Sequence, residues 1–374
     1  MTGDVEIVRY RAEHKQEVAR LQTALWGPDP AANARYLEWK YEQNPWAARP
    51  RIYLAVRGDE VIGMRGFFES RWEVGAPARC VSIPLADDLA IRASERNTGL
   101  ATRIMRSGLS DLAESGCEYV LSLSAGMVTT LGSLALGWKS AVRYDLLARR
   151  DAAHCRRARI RELALRLPLL WRAAGSPRLL SRSEREPFHR LDAAAPNLRG
   201  LRAEKQPRCA EMAQLVAEIG HGGRLRHVRS AEYLAWRFAN PMYEYRFLYA
   251  YGPEGLDGYL VLSSRVMGGV ASRTCICDLE GRSASVRADL LEAVLEAGDL
   301  SELAVWASTL PPAERAALTL CGFAPADPRA AARGHPAALV RATRDRAPSE
   351  WRLCEQPLLD PASWDLRMLY SMAA

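Results

Sequence analysis

Along the first 150 residues, apolar positions switch repeatedly between strict alternation and spacings of three and four, and the breaks fall at Gly, Pro and Asn. Alternation predicts a strand over residues 5–10 and a hairpin over 52–56 and 61–68, turned by Arg57-Gly58-Asp59-Glu60. Further strand is predicted over 72–83. Helical spacing predicts an amphipathic helix over 13–25, with Val18, Leu21 and Leu25 on one face, stopped by Trp26-Gly27-Pro28. A second helix over 31–41 ends before the breaker pair Asn44-Pro45. Leu89-Ala90-Ile91 then reads as strand, and Leu100, Ile104, Leu109 and Leu112 as the buried face of a helix ending near Ser115-Gly116. A strand over 119–123, a short helix over 129–136 closed by Gly137-Trp138, and a strand over 141–147 complete the series.

The series then repeats. Tyr36-Leu37-Glu38-Trp39-Lys40-Tyr41-Glu42-Gln43-Asn44-Pro45 recurs as Tyr233-Leu234-Ala235-Trp236-Arg237-Phe238-Ala239-Asn240-Pro241, and the flanking elements recur in the same order. Cys321-Gly322-Phe323 parallels Leu136-Gly137-Trp138. Between the copies, residues 152–199 are rich in Arg, carry Pro168, Pro177, Pro187 and Pro196, and hold one apolar helical stretch over 160–171. A basic helix of this kind either packs its Leu face on a domain or lies on RNA or a membrane. The expected organisation is a first domain over 1–150, a helical connector over 151–199 and a second domain over 200–374.

Composition narrows the class. Charged residues make up 25% and hydrophobic ones 48%, the balance of a globular protein, and no run of 18 apolar residues suggests a membrane span. The N-terminus is polar and acidic and leads straight into a strand, with no signal-peptide pattern. The eight cysteines are scattered, and Cys275-Ile276-Cys277 alternates as in a strand, so they read as reduced thiols of a cytoplasmic protein. No metal-ligand spacing is found. The net charge of +7, carried almost wholly by Arg, suits an anionic ligand, tRNA or a membrane surface.

The candidate chemistry centres on residues 87–107. After Asp87-Asp88-Leu89-Ala90-Ile91, the loop Arg96-Asn97-Thr98-Gly99-Leu100-Ala101 hands a strand over to a helix N-terminus. First-turn amides lack intrahelical partners and carry partial positive charge, so such a junction suits a diphosphate, and Gly99 and Ala101 leave room for phosphate oxygens. An ordinary helix start has the same small residues. The whole run resembles the acyl-CoA-binding segment of the GNAT-type N-acyltransferase superfamily, Asp-Leu-Ala-Val-x-Pro-x-x-Arg-x-x-Gly-x-Gly/Ala. Leu89-Ala90-Ile91 matches its strand, Arg96, Gly99 and Ala101 match its loop, and Ala93 replaces its Pro.

The resemblance implies an α/β fold with a mixed sheet, here as two tandem GNAT-like folds. It further implies acetyl-CoA or another acyl-CoA held by Leu89, Ala90, Ile91, Arg96, Asn97, Thr98, Gly99, Leu100, Ala101 and Thr102. The second half reads Arg282-Ser283-Ala284-Ser285-Val286-Arg287 at the corresponding place, without the motif, so it is expected to have lost acyl-CoA and to serve as cleft wall, interface or stabiliser. The expected activity is transfer of an acyl group to the amine of a small molecule, with no metal and no membrane, by a monomer or homodimer. Amine acylation needs a base, and Asp87 and Asp88, on opposite sheet faces if extended, are placed for it. Asp88 is the candidate named, beside the plain alternative of a solvated strand-start carboxylate. The Tyr that the family uses as acid falls on Ser133, whose hydroxyl is far too weak an acid, and Tyr144 is a substitute. Trp39 and Lys40 either touch the acceptor or pack in the core. The missing Tyr, the basic charge and the Arg-rich connector also fit an aminoacyl transferase fed by aminoacyl-tRNA, and Ser133 alone would fit a non-catalytic acyl-CoA binder.

Overall fold

A computed structural model describes residues 4–123, 127–143, 145–150, 186–194, 198, 200–267, 270–297, 300, 302–326 and 337–371. The first half runs β1 (Glu6–Arg9), α1 (Lys15–Leu21), α2 (Pro30–Leu37), β2 (Arg51–Arg57), β3 (Glu60–Phe68), β4 (Arg71–Val74) and β5 (Arg79–Ser82). It continues with β6 (Leu85–Ile91), α3 (Leu100–Glu114), β7 (Tyr119–Ser122), α4 (Met127–Ala135), β8 (Lys139–Arg143) and β9 (Leu146–Arg150). The second half runs α5 (His189–Ala194), β10 (Arg202–Glu204), α6 (Cys209–Ile219), β11 (Leu225–His227), α7 (Ala231–Phe238), β12 (Tyr243–Gly252) and β13 (Gly255–Met267). After it come β14 (Val270–Gly281), α8 (Ala284–Glu296), β15 (Glu302–Trp306), α9 (Pro312–Leu320), β16 (Ala324–Pro325) and β17 (Ala337–Ala342). The fold class is the mixed α/β one that the resemblance implies.

Two seven-stranded sheets are built to one plan, β1-β2-β3-β6-β7-β17-β8 and β10-β12-β13-β14-β15-β9-β16. In each, the strand in the sixth place comes from the other half. β17 lies antiparallel between β7 and β8, with Leu339 opposite Ser122, and β9 lies antiparallel to β15, with Ala304 opposite Ala148. The strand expected over 141–147 is therefore two strands, and the chain passes from the first sheet to the second between residues 143 and 146. Sheet membership cuts across the division expected at residue 150. A further small sheet joins the halves again, pairing β11 with β4 and setting His227 opposite Trp72.

Between the sheets the apolar faces of α1, α2, α6 and α7 meet in one shared core, where Val18, Tyr36 and Leu37 pack in the same cluster as Leu215, Tyr233 and Leu234. On the outer face of the first sheet, Leu100, Ile104, Met105 and Leu112 of α3 repeat at helical spacing and join Tyr53, Phe67 and Val120. Phe188 and Leu191 belong to the corresponding second-half cluster, and Asp192 grips Arg246 through two hydrogen bonds of 2.6 and 2.8 Å. The rest of the Arg-rich connector, including the helical stretch expected over 160–171, lies outside the described residues. Among the described residues no helix is long and apolar enough to cross a membrane, and no group of three or more His, Cys, Asp or Glu could hold a metal ion.

Candidate active site

β6 and β7 run parallel but pair at a single register point, Leu85 opposite Leu121. β6 continues along β3 as far as Gly63 opposite Ile91, so its other edge opens past Leu85. Beyond that opening lies the loop into α3. Gly99 takes the N-cap position at φ 77°, in the left-handed region that costs other residues strain, and a Cβ there would meet nothing within 4 Å among the described residues. The loop is anchored from the side: Arg57 donates to both oxygens of Glu95 at 2.9 and 2.8 Å, and Thr98 Oγ1 donates to the Glu95 carbonyl at 2.8 Å. Helix geometry leaves the Leu100 and Ala101 amides without intrahelical acceptors. Arg96 is exposed beside them. An open cradle of amides with a cation at its rim fits a diphosphate.

One face of β6 carries a second, buried constellation. A regular strand would send Asp87 and Asp88 to opposite faces. Here β3 pairs Met64 with Ala90 and Gly66 with Asp87, so Asp88 and Leu89 together oppose Arg65, and Asp88 sits at φ 53°. The bulge turns both carboxylates onto Lys40, whose ammonium donates to Asp87 Oδ2 at 2.7 Å and Asp88 Oδ2 at 3.1 Å. The Tyr41 hydroxyl donates to Asp88 Oδ2 at 2.8 Å, and the Asp88 amide donates to Asp87 Oδ1 at 2.9 Å. The expectation that the two aspartates face apart is thus corrected by the bulge.

Lys40 reaches this place through a widened helix turn. The helix expected over 31–41 is α-helical only to Leu37. Glu38–Glu42 forms a π-helical turn, closed by the Gln43 amide on the Glu38 carbonyl at 2.9 Å. The extra residue in the turn lets Trp39, Lys40 and Tyr41 all point inward, where a regular helix buries only one side. The Lys40 ammonium is enclosed by the rings of Trp26, Tyr36, Tyr41 and Phe68, each 5.2–5.4 Å from it. Burial pushes the Asp88 carboxyl up; the Lys40 charge opposes this shift and the Asp87 charge adds to it. Burial also raises the Tyr41 hydroxyl well above its usual range, helped by the charges of Asp88 and Asp87, so it is a firm donor. The Asp88 side chain is sealed at 0% exposure, whereas that of Asp87 keeps 11%.

The second half reaches this cluster too. Arg265 of β13 lies over the Trp26 ring at 5.1 Å and donates to the Trp26 carbonyl at 2.8 Å, so Trp26 is in contact with both Arg265 and Lys40. Tyr243 of β12 has its hydroxyl pushed up to about 12, first by burial and in smaller part by Asp87.

Residues 18–136 match the family model described as Acetyltransferase (GNAT) family. Over that stretch the chain is similar to the GNAT family. Solved structures share the fold across most of the chain. A GCN5-related N-acetyltransferase from Anabaena variabilis is similar over 91% of this chain and 73% of its own, at 11% identity and TM-score 0.56. A probable N-acyltransferase from Enterococcus faecalis gives the same coverage at 10% identity and 0.56. Eis1 from Mycobacterium abscessus also spans 91% of this chain and 73% of its own, at 14% identity and 0.51. No curated protein sequence matches the chain.

The site residues expected from sequence fall into three groups. Leu89, Ala90, Ile91, Arg96, Asn97, Thr98, Gly99, Leu100, Ala101 and Thr102 lie along the splay and its loop, with Leu89 and Ile91 half-buried. Asp88 and Lys40 meet in the buried cluster. Trp39 does not join them: its ring stacks on Trp236 at 4.8 Å and its indole N–H donates to the Trp236 carbonyl. Ser133 is buried on α4 and is not joined to the Lys40 cluster among the described residues. Tyr144 lies outside the described residues. Sequence reasoning missed Tyr41 as a partner of Asp88, and the ring enclosure by Trp26, Tyr36 and Phe68. In the structure Gly66 makes room for the Tyr41 contact, since an added Cβ would meet the Tyr41 hydroxyl oxygen at 2.0 Å, but no sequence pattern links the two.

Proposed function

We propose that the chain is an N-acyltransferase taking an acetyl or longer acyl group from acyl-CoA at the β6/β7 splay and passing it to the amine of a small molecule. The observation that carries this reading is that β6 has an opened edge, leads into an open amide cradle at Gly99 and carries Asp87, a largely buried carboxylate whose side chain keeps 11% exposure. The donor's diphosphate sits on the Leu100 and Ala101 amides beside Arg96, and the free edge of β6 offers backbone partners to its amide groups. Asp87 holds the acceptor ammonium and takes its proton. The neutral nitrogen then attacks the thioester carbonyl, a C–N bond forms, the C–S bond breaks, and the thiolate leaves with the electron pair. A thiol has a pKa of about 8.5, so its thiolate departs without a strong acid and Ser133 need not supply one. Asp88, Lys40 and Tyr41 are positioning residues that fix Asp87. The second half is a degenerate copy of the fold that has lost the donor loop and supplies a cleft wall through Arg265 and Tyr243.

Calorimetry with acetyl-CoA, CoA and charged tRNA on wild type and Gly99→Glu tests this. Saturable acetyl-CoA binding that Gly99→Glu abolishes is the expected result. Binding of tRNA alone, falling steeply with salt, would overturn it in favour of an aminoacyl-tRNA donor.

A further inference from the structure

The second half contains its own splay. β14 and β15 pair in parallel only at Thr274 opposite Leu303 and Cys275 opposite Ala304, as β6 and β7 do at a single point. Past that point a cavity of about 330 Å³ opens between α8 and α9. That volume lies in the range of small-ligand sites. Its width is set by alanines one helical turn apart on the two facing helices, Ala284 and Ala288 on α8 and Ala313 and Ala317 on α9. The floor is apolar, formed by Ile276, Leu291 and Val305 among others.

The charges in the wall are satisfied within the fold. Arg229 donates to both oxygens of Asp278 at 2.9 Å, and Tyr259 adds a third hydrogen bond at 2.7 Å. Arg367 is held by Asp365, Glu280 and the Leu279 carbonyl at 2.9, 3.1 and 2.9 Å. Arg287 pairs with Glu314 at 2.9 Å and donates to the Gly281 carbonyl at 2.7 Å. Among the described residues each charged side chain of this wall already has an oppositely charged partner, and an ion buried there without a partner of its own is strongly disfavoured. The head of α8 also differs from that of α3: Ser283 Oγ accepts the Val286 amide at 3.3 Å, a cap that Gly99 does not provide in the first half. One polar valence remains, because Arg287 Nε is buried with no acceptor among the described residues.

The geometry points to a second ligand site in this cavity, for a neutral, largely apolar small molecule of the medium-chain ester or alcohol class, one oxygen of which accepts a hydrogen bond from Arg287. It is a donor-type cleft that has exchanged a phosphate-bearing ligand for an uncharged one. The site stands apart from the acyl-CoA reading of the first half and does not depend on it.

Methyl octanoate, sodium octanoate and CoA are titrated into the full-length chain, and into Ala288→Trp and Ala317→Trp, by calorimetry. Saturable methyl octanoate binding is expected in wild type. It should weaken at least about tenfold in each Trp variant, which fills the space from opposite walls, while the melting transition stays at its wild-type value. Equal binding by octanoate would overturn the neutral class. Displacement of the ester by CoA, or binding untouched by both Trp variants, would place it elsewhere and overturn the site. Absence of saturable binding by wild type up to the ester's solubility would do the same. The two variants sit on different helices, so a folding defect in one leaves the other to decide.

Discussion

The Trp39 and Trp236 rings stack at 4.8 Å and 11° between planes, and each indole N–H donates to the other's backbone carbonyl at 2.7 Å. These are the same position of the repeated Tyr-Leu-x-Trp segment, so the two copies meet through equivalent residues making equivalent bonds. The neighbouring motif residues keep the correspondence. Lys40 and Arg237 are both fully buried cations, and the Asn44 and Asn240 side chains each accept the amide two residues on, at 2.9 and 3.0 Å. Truncating either Trp removes its half of the stack and leaves the other residue's buried carbonyl without its indole donor. Trp39→Ala and Trp236→Ala should each lower stability by about 3–5 kcal/mol. In a double-mutant cycle the two losses should fail to add by about 0.5–3 kcal/mol, measured by urea unfolding; additive losses would show the pair to be independent.

Lys40 is the only cation bonded to both Asp87 and Asp88 among the described residues, and it has no exposure to water. Removing it leaves two neighbouring carboxylates in a closed site. Lys40→Met should cost about 3–5 kcal/mol, and adding Asp88→Asn should return part of that, because the double variant buries fewer unpaired charges. Denaturant midpoints for the three proteins decide it, and a double variant less stable than Lys40→Met would refute the coupling.

Gly66 supports the same cluster by having no side chain. A Cβ there would lie 2.0 Å from the Tyr41 hydroxyl oxygen, so Gly66→Ala must drive Tyr41 off Asp88. A stability loss of about 1–3 kcal/mol is expected from the overpacking, together with a fall in acyl transfer. Tyr41→Phe should lower transfer as well with a smaller stability loss. Unchanged transfer in both would remove Tyr41 from the positioning set.

Much of this was legible in the sequence, and what was not has identifiable causes. Alternation and helical spacing located most elements of the first sheet, and the recurring Tyr-Leu-x-Trp segment marked α2 and α7, which meet in the shared core. The exchange of β9 and β17 was not legible, because a strand's apolar pattern states that it is buried but not in which sheet. The turn into α3 was readable because the backbone need at Gly99 leaves a residue-level trace. The Lys40 cluster was only half readable: periodicity assumes a regular helix and a regular strand, and both a π turn at Glu38–Glu42 and a bulge at Asp88 intervene. Departures from regular geometry at just these two places brought Lys40, Asp87 and Asp88 together.

His227 gives a pH test of the packing between the halves. Its ring lies 4.4–5.2 Å from those of Tyr233, Tyr370, Trp46 and Trp72, and its Nδ1 is 2.9 Å from the Val228 carbonyl. Burial above all, and then the charges of Arg229 and Arg237, depress it to about 3. The unfolded chain therefore binds a proton here below about pH 6.5 that the folded chain refuses down to about pH 3, and stability falls as pH drops through that window. From pH 6.5 to 5 the loss from this group is about 2 kcal/mol. Urea unfolding at pH 7 and pH 5 should show a drop smaller by about that amount in His227→Phe than in wild type. An identical drop would assign the acid sensitivity to other groups.

The exchanged strands make a stricter demand on folding. In the first sheet β17 is bonded on both sides, to β7 through Leu339–Ser122 and to β8 through Ala338–Val142, so without it β8 has no neighbour in its sheet. Residues 1–150 alone would expose the edge of β7, and would also leave β9 without β15, its partner from Glu302–Arg150 to Trp306–Leu146. Unpaired strand edges and an open apolar face favour aggregation over folding. The 1–150 fragment should therefore fail to give a cooperative unfolding transition, and so should the 200–374 fragment. Co-expression of 1–150 with 200–374 should restore one transition and co-purification of the two pieces, since each then recovers its sixth strand. A cooperative, monomeric 1–150 fragment would show that β17 is dispensable and that the halves are independent folding units joined only at their surfaces.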